Sequence, residues 1–188
     1  MPTVSDRTPL GTPLPDVTLT DNDGVEHRLH DLAGTAPVLV AFLANHCPYV
    51  VHIESAFGEV TAELVEQGLQ VIGVSSNDAA TYPQDGPDGM RAQAERAAWR
   101  FPYLRDPDQS AARAIGAACT PELFLFDTRQ HLAYRGAFDG STPGNGVPLT
   151  GADLRAAATA VLAGAPVPGD QRPAMGCGIK WARGQAPA

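Results

Sequence analysis

The chain has 188 residues, enough for one well-buried core and too few for two domains of ordinary size. Its formal net charge of -8 repels phosphate backbones and anionic lipids, which argues against nucleic acids and membrane surfaces as partners. The N-terminal residues lack the apolar core of a signal peptide, and no apolar run is long enough to span a membrane, so the sequence predicts a cytoplasmic protein.

The first half of the chain predicts a β-hairpin followed by a strand–helix–strand unit. The turn sequence Asp21-Asn22-Asp23-Gly24 separates two alternating segments, as in a hairpin. Two continuous apolar runs then flank a helix that Pro48 opens and Gly68 closes, and a crossover of this kind joins parallel strands. The predicted elements are strands over 17–20, 25–29, 38–43 and 69–75 and a helix over 48–67.

The second half predicts three more helices and a second hairpin, whose strands flank Asp127-Thr128-Arg129-Gln130. From Ala165 the chain is rich in Pro and Gly, which predicts an irregular tail. The predicted elements are a loop over 76–89, helices over 90–100, 109–117 and 153–163, and strands over 123–126 and 131–135. Together they predict a single α/β domain over 1–188, with a central mixed β-sheet flanked by helices, an N-terminal extension over 1–15 and a tail over 165–188.

Cys47 is the strongest candidate for a chemical site. It follows a buried strand and precedes Pro48, so the sequence places it at the amino end of a helix, where free amides and the helix dipole favour a thiolate. Open α/β sheets place their sites at the carboxyl ends of such strands. The neighbouring His46 offers a positive charge or a proton shuttle. The alternative is that Cys47 is a buried structural cysteine.

Two further cysteines lie far from the first in sequence. Cys177 lies in the tail within Met175-Gly176-Cys177-Gly178, and a cysteine on a mobile tail can reach a distant thiolate and form a disulfide. The alternative is that the tail packs down and Cys177 fills a small apolar gap. Cys119 precedes Thr120-Pro121 and is either part of the site or a loop cysteine without a partner. Three cysteines are too few, and an odd number, for a secreted disulfide scaffold.

A metal site is a weaker interpretation. His46, Cys47 and His52 are close in sequence, but adjacent residues seldom ligate one ion, and no CxxC or HxxxH pair supports them. The carboxylate-rich stretches do not match a calcium-binding loop and are interpreted as solvated turns, the last of them at the border of the site. These stretches are 85–88, 106–108 and 139–145. The sequence therefore predicts no metal and no cofactor.

Several motifs, taken in this order, resemble the peroxiredoxin-like, AhpC/TSA-like branch of the thioredoxin superfamily, a group of bacterial proteins. The motifs are Asn45-His46-Cys47-Pro48-Tyr49-Val50, Ser75-Ser76-Asn77-Asp78, Phe101-Pro102-Tyr103-Leu104, Cys119-Thr120-Pro121 and Gly176-Cys177. The resemblance covers nearly the whole chain and implies a thioredoxin-like fold with thiol redox chemistry. It also implies that Pro121 is a cis-proline facing the reactive cysteine, with Cys119 at the rim. The implied lining residues of the site are Asn45, His46, Pro48, Thr120 and Pro121.

The chain departs from the two mechanisms that the resemblance offers. A peroxiredoxin has Thr or Ser three residues before its reactive cysteine, Pro seven before it and an arginine that polarises peroxide, whereas this chain has Ala44, Val40 and Pro121 at those positions. A thioredoxin has a second cysteine three residues after the first and a buried acid six before it, and here those positions hold Val50 and Ala41. Neither mechanism transfers unchanged.

The leading hypothesis is an antioxidant thiol-disulfide oxidoreductase in which Cys47 is the attacking thiolate and either Cys119 or Cys177 resolves it. The second hypothesis is a peroxidase that reduces hydroperoxides. A non-catalytic binding module built around Pro121 and a metallochaperone are the other two. The predicted partners are a disulfide or hydroperoxide substrate, a thiol reductant and a second copy of the chain in a homodimer.

Overall fold

The structure, a computed structural model, describes residues 2–5 and 8–187. The parts of the predicted extension and tail at residues 1, 6, 7 and 188 lie outside the described residues. The strands are β1 (Thr3–Val4), β2 (Thr18–Thr20), β3 (Glu26–Arg28), β4 (Val38–Phe42), β5 (Gln70–Ser75), β6 (Tyr103–Arg105), β7 (Cys119–Thr120), β8 (Glu122–Phe126), β9 (Leu132–Gly136) and β10 (Met175–Gly178). The helices are α1 (Leu29–Ala33), α2 (Pro48–Glu66), α3 (Pro87–Arg96), α4 (Ser110–Ile115) and α5 (Ala152–Leu162).

A seven-stranded mixed sheet forms the centre of the fold, with the strand order β3-β2-β6-β5-β4-β8-β9. β4 and β5 pair in parallel, as do β5 and β6, while β8 runs antiparallel to β4 and β9 antiparallel to β8. All five residues of β4 are buried, as its continuous apolar run predicts for a strand covered on both faces. The predicted hairpin at the N-terminal side is present as β2 and β3.

Helices cover both faces of this sheet. α2, α3 and α5 contribute to a buried cluster on one face, and α1 and α4 to a cluster on the other. The predicted apolar stripe of α2 is confirmed, because Ile53, Phe57, Val60 and Leu64 are all buried in the first cluster. None of the helices in residues 2–5 and 8–187 is both long and apolar enough to cross a membrane.

The prediction of an irregular tail is wrong where the tail forms β10. β10 lies between β1 and β7 in a second, three-stranded antiparallel sheet. Its register pairs Cys177 with Thr120 and Gly178 with Cys119. The strand escaped prediction because it has four residues with two glycines and pairs only with segments distant in sequence, so no local alternation marks it.

Two further differences concern short elements. β6 and β7 were not predicted, because two or three residues give no measurable period. α3 begins at Pro87 rather than residue 90, since proline fits the first helical position, and it ends at Arg96 rather than residue 100.

Candidate active site

Cys47 lies where the sequence predicts, at the amino end of α2 directly after β4. It is the N-cap residue, and its carbonyl oxygen accepts hydrogen bonds from the amides of Val50 (3.0 Å) and Val51 (2.9 Å). Its side chain makes no cap hydrogen bond. The Cys47 thiol instead donates to the carbonyl oxygen of Thr120 at 3.1 Å, and the side chain is 0% exposed. The loop before the cis peptide bond between Thr120 and Pro121 is therefore in direct contact with Cys47.

Cys177 also lies at this point, carried by β10. Pairing with Thr120 brings it to the residue whose carbonyl oxygen binds the Cys47 thiol, and Cys177 packs against the buried cluster that contains Cys47. All three cysteines of the chain are free thiols. Burial, followed by the contact with Cys47, raises the pKa of the Cys177 thiol to about 11. Cys177 is only partly buried. The sequence left the pairing open between Cys119 and Cys177.

Gly176 explains how β10 can lie so close to the cis-proline loop. A Cβ atom at Gly176 would lie 1.9 Å from the carbonyl oxygen of Thr120, a separation that no side chain tolerates. The preceding residue, Met175, is 41% exposed, and β1 pairs with both residues on the other edge of β10. Glycine is therefore a requirement of the close approach that delivers Cys177.

Cys119 pairs with Gly178 and not with Cys177, although its thiol is close enough to Cys47 and Cys177 for their charges, after burial, to raise its pKa. Adjacent residues of a strand point to opposite faces, so Cys119 faces away from the side on which Thr120 and Cys177 meet. It is 0% exposed, and burial followed by the nearby carboxylate of Glu122 raises the pKa of its thiol far above the ordinary range. The structure thus places Cys119 in the interior and not at the rim that the resemblance implied.

Glu122 is a buried carboxylate that sequence reasoning missed. It is 0% exposed and accepts hydrogen bonds from the amides of Ala118 (2.7 Å) and Cys119 (3.2 Å) and from the hydroxyl of Ser5. Burial raises the pKa of this carboxyl group. The contacts tie the residues before β7 to the first residue after Pro121, and so fix the loop that faces Cys47. The only sequence signal for this role of Glu122 is its position directly after Thr120-Pro121.

Asp85 is a second carboxylate with an unpredicted role. It is 1% exposed and accepts hydrogen bonds from the amides of Asn45 (2.8 Å) and His46 (3.2 Å), from the imidazole Nδ1 of His46 (2.5 Å) and from the amide group of Asn77 (2.7 Å). The His46 ring also stacks on Tyr82, with ring centroids 5.2 Å apart. Asp85 therefore holds the two residues that lead into Cys47.

The interpretation of the acidic stretches as solvated turns is wrong for one residue in each. Asp85 is one of these residues. Asp106 is another, and it accepts hydrogen bonds from the amides of Ala111 (3.0 Å) and Ala112 (2.9 Å) at the start of α4. Asp139 accepts the amide of Gly151 (2.7 Å) at the start of α5. All three carboxylates are buried. Free amides at helix starts and in tight loops need such acceptors, but the partners lie too far away in sequence to be recognised.

The residues of the metal interpretation do not converge. His46 is bound to Asp85, whereas His52 bonds to the hydroxyl of Ser141 at 2.8 Å. Within the described part of the chain, no group of three or more His, Cys, Asp or Glu residues is arranged to hold a metal ion.

An apolar cavity of about 310 Å³ adjoins the site. Its walls include Tyr49 and Ile53 of α2, Pro121 of the cis-proline loop and Phe138, and Met175 of β10 lies at one side. Residues 139–142 complete the wall, so this loop borders the site as the sequence suggests.

The chain is similar to a known family and to a relative of described activity. The model of the AhpC/TSA family matches residues 10–135. The thiol-disulfide oxidoreductase ResA of Geobacillus thermodenitrificans (strain NG80-2) is 26% identical over 118 residues, which make up 63% of this chain and 63% of ResA. The chain therefore matches less than two thirds of the length of that relative.

Two solved structures share the fold. The crystal structure of a hypothetical protein from Sinorhizobium meliloti 1021 has a TM-score of 0.93 and 43% identity, and the match covers 97% of this chain and 100% of that one. The solution structure of an uncharacterized thioredoxin-like protein from Porphyromonas gingivalis has a TM-score of 0.60 and 22% identity, over 80% of this chain and 92% of that one. The predicted thioredoxin-like α/β fold is confirmed.

Proposed function

Because the chain belongs to the AhpC/TSA family and has a thioredoxin-like fold, we propose that it is a thiol-disulfide oxidoreductase whose reacting pair is Cys47 and Cys177. The observation that carries the proposal is the pairing of Cys177 with Thr120, the residue whose carbonyl oxygen accepts the hydrogen bond from the Cys47 thiol. The two cysteines come from separate elements, α2 and β10, and Gly176 lets β10 lie close to the cis-proline loop. ResA, a relative by sequence, is a thiol-disulfide oxidoreductase.

The proposed reaction has two exchange steps. The Cys47 thiolate attacks one sulfur of a substrate disulfide, forms a mixed disulfide and expels the other substrate sulfur as a thiolate. Cys177 then loses its proton and attacks Cys47, which forms the Cys47–Cys177 disulfide and releases the second substrate thiolate. Because Cys47 is fully buried, β10 must leave β7 for the first step and return for the second.

Thiol mapping tests the pair directly. The reduced protein is oxidised with diamide, quenched in acid, alkylated and digested, and a peptide linking Cys47 to Cys177 is expected, with Cys119 alkylated. Cys47→Ser and Cys177→Ser should each abolish the link and the reduction of insulin disulfides by dithiothreitol-reduced protein. Cys119→Ser is the matched control and should retain both. A link from Cys47 to Cys119, or no intramolecular link, contradicts the proposal.

Hydroperoxide reduction is the second candidate, and the match to the AhpC/TSA family is the observation in its favour. The chain holds Ala44 and Pro121 where donors to a bound peroxide are expected, and both are apolar. We therefore expect the protein to consume hydrogen peroxide no faster than a free thiol does. A rate about a hundredfold higher that Cys47→Ser abolishes would make peroxide the substrate instead.

A further inference from the structure

The two sulfurs of the proposed pair differ in their access to solvent. Cys47 is 0% exposed and belongs to the buried cluster that also holds Ala44 and Val50, whereas Cys177 is partly exposed. β1 pairs with Met175 and Gly176, and its register ends one residue before Cys177. Cys177 itself packs against that buried cluster.

We propose that Cys177, and not Cys47, is the sulfur of the oxidised protein that an external thiol reductant attacks; this inference rests on the proposed function. In the reduced protein β10 is held on β7 by noncovalent contacts and can leave. After oxidation a covalent bond holds β10 in place, so the disulfide itself keeps Cys47 covered. An external reductant therefore reaches the Cys177 sulfur and not the Cys47 sulfur.

The direction of attack supports this assignment. In thiol–disulfide exchange the entering sulfur approaches the attacked sulfur along the extension of the bond that breaks, from the side away from the leaving sulfur. For Cys47 that side is occupied by the buried cluster around α2. Cys177 is partly exposed, and so an external thiol can reach it in a way that it cannot reach Cys47.

A comparison of the two leaving groups also favours attack at Cys177. Attack at Cys47 would expel Cys177, a thiol whose pKa is raised to about 11, chiefly by burial, and a thiolate of high pKa leaves slowly. Attack at Cys177 expels Cys47, which lies at the amino end of the nineteen-residue helix α2, where the helix dipole favours negative charge.

The proposed step balances as follows. A reductant thiolate forms a bond to the Cys177 sulfur, the Cys47–Cys177 bond breaks, and its electron pair leaves with Cys47 as a thiolate. A second thiol of the reductant, a dithiol or another monothiol, then attacks the reductant sulfur of the mixed disulfide. This step oxidises the reductant to a disulfide and releases Cys177, which takes up a proton.

Mapping the mixed disulfide tests the proposal. Cys119→Ser protein, which lacks the third thiol, is oxidised and checked for the Cys47–Cys177 link. It is then mixed briefly with glutathione, quenched in acid and alkylated with N-ethylmaleimide before digestion. At the earliest times we expect glutathione on Cys177 and N-ethylmaleimide on Cys47, in at least about tenfold excess over the reverse pattern.

Each outcome has a distinct meaning. Glutathione on Cys47, or equal labelling of the two cysteines, overturns the inference while the proposed function stands. Failure to form the Cys47–Cys177 link before glutathione is added overturns the proposed function and this inference with it. Wild-type protein processed in parallel should give the same ratio, since Cys119 lies outside the pair.

Discussion

At the scale of single residues, the buried carboxylate of Glu122 is the least expected part of the site. It accepts hydrogen bonds from the backbone amides of Ala118 and Cys119 and from the hydroxyl of Ser5. Replacement by Ala leaves those donors without an acceptor and opens a void, so Glu122→Ala should cost about 2–4 kcal/mol of unfolding free energy. Glu122→Gln keeps the volume and one acceptor oxygen and should cost about 1 kcal/mol or less at neutral pH. Urea unfolding of the three proteins measures both differences.

The raised pKa of Glu122 adds a pH dependence with a definite sign. Because burial favours its protonated form, the native state holds this proton more tightly than the unfolded chain does. As pH rises above the ordinary glutamate value of about 4.5, the unfolded state loses the proton first, and the native state is destabilised relative to it. The stability of wild type minus that of Glu122→Gln should therefore fall as pH rises from 4 to 8. A difference that is constant over this range would contradict the assignment.

At the scale of elements, Gly176 lets β10 lie against the cis-proline loop that contacts Cys47. A methyl group at Gly176 would overlap the Thr120 carbonyl, so Gly176→Ala should push β10 away from β7 and from α2. We expect Cys47 to react with iodoacetamide about tenfold faster in this variant, because reactivity follows access to the thiolate. Formation of the Cys47–Cys177 link should slow in parallel.

Gly169→Ala is the matched control for that change. Gly169 lies in the exposed segment that precedes β10, and a Cβ atom at this position would have no neighbouring atom within 4 Å. Its alkylation and oxidation rates should equal those of wild type. Equal rates in Gly176→Ala as well would mean that β10 does not limit access to Cys47.

The elements also show which parts of the site a sequence can reveal. Cys47 carries a local signal, the junction between a strand and a helix, whereas the role of Pro121 follows only from the family resemblance, since an X-Pro pair alone predicts nothing unusual. The role of Asp85 is not predicted because Asn45 and His46 lie about 40 residues earlier, and a hydrogen bond of that span leaves no trace in the local pattern. Cys177 was recognised as a candidate, but the strand that positions it was not. Pairing across the chain, rather than propensity, creates β10.

At the scale of the whole molecule, the sequence determines the large elements and the layers. β4, β5 and α2 were predicted because long apolar periods mark them, and they form the centre of the sheet and its main covering helix. The second, three-stranded sheet could not be predicted from the sequence. It joins residues from both ends of the chain to the cis-proline loop, and only the completed fold brings those three segments together.

If Cys47 and Cys177 form the proposed disulfide, the redox state becomes a determinant of global stability. A Cys47–Cys177 disulfide joins residues about 130 positions apart, and closing a loop of that size in the unfolded chain should stabilise the native state by about 2–4 kcal/mol. For a protein of this length the corresponding rise in Tm is roughly 4–16 °C. Because Cys177 pairs with Thr120, to which the Cys47 thiol is bonded, we expect the native fold to accept the bond with little rearrangement.

Calorimetry of oxidised and reduced protein measures the effect. Wild type and Cys119→Ser should both show the higher Tm after oxidation and lose it in dithiothreitol, whereas Cys177→Ser should melt at one temperature under both conditions. If mass analysis finds the disulfide and the Tm of wild type does not change, then the bond strains the fold by as much as it restricts the unfolded chain. β10 in its present register would then not be the position from which Cys177 reacts.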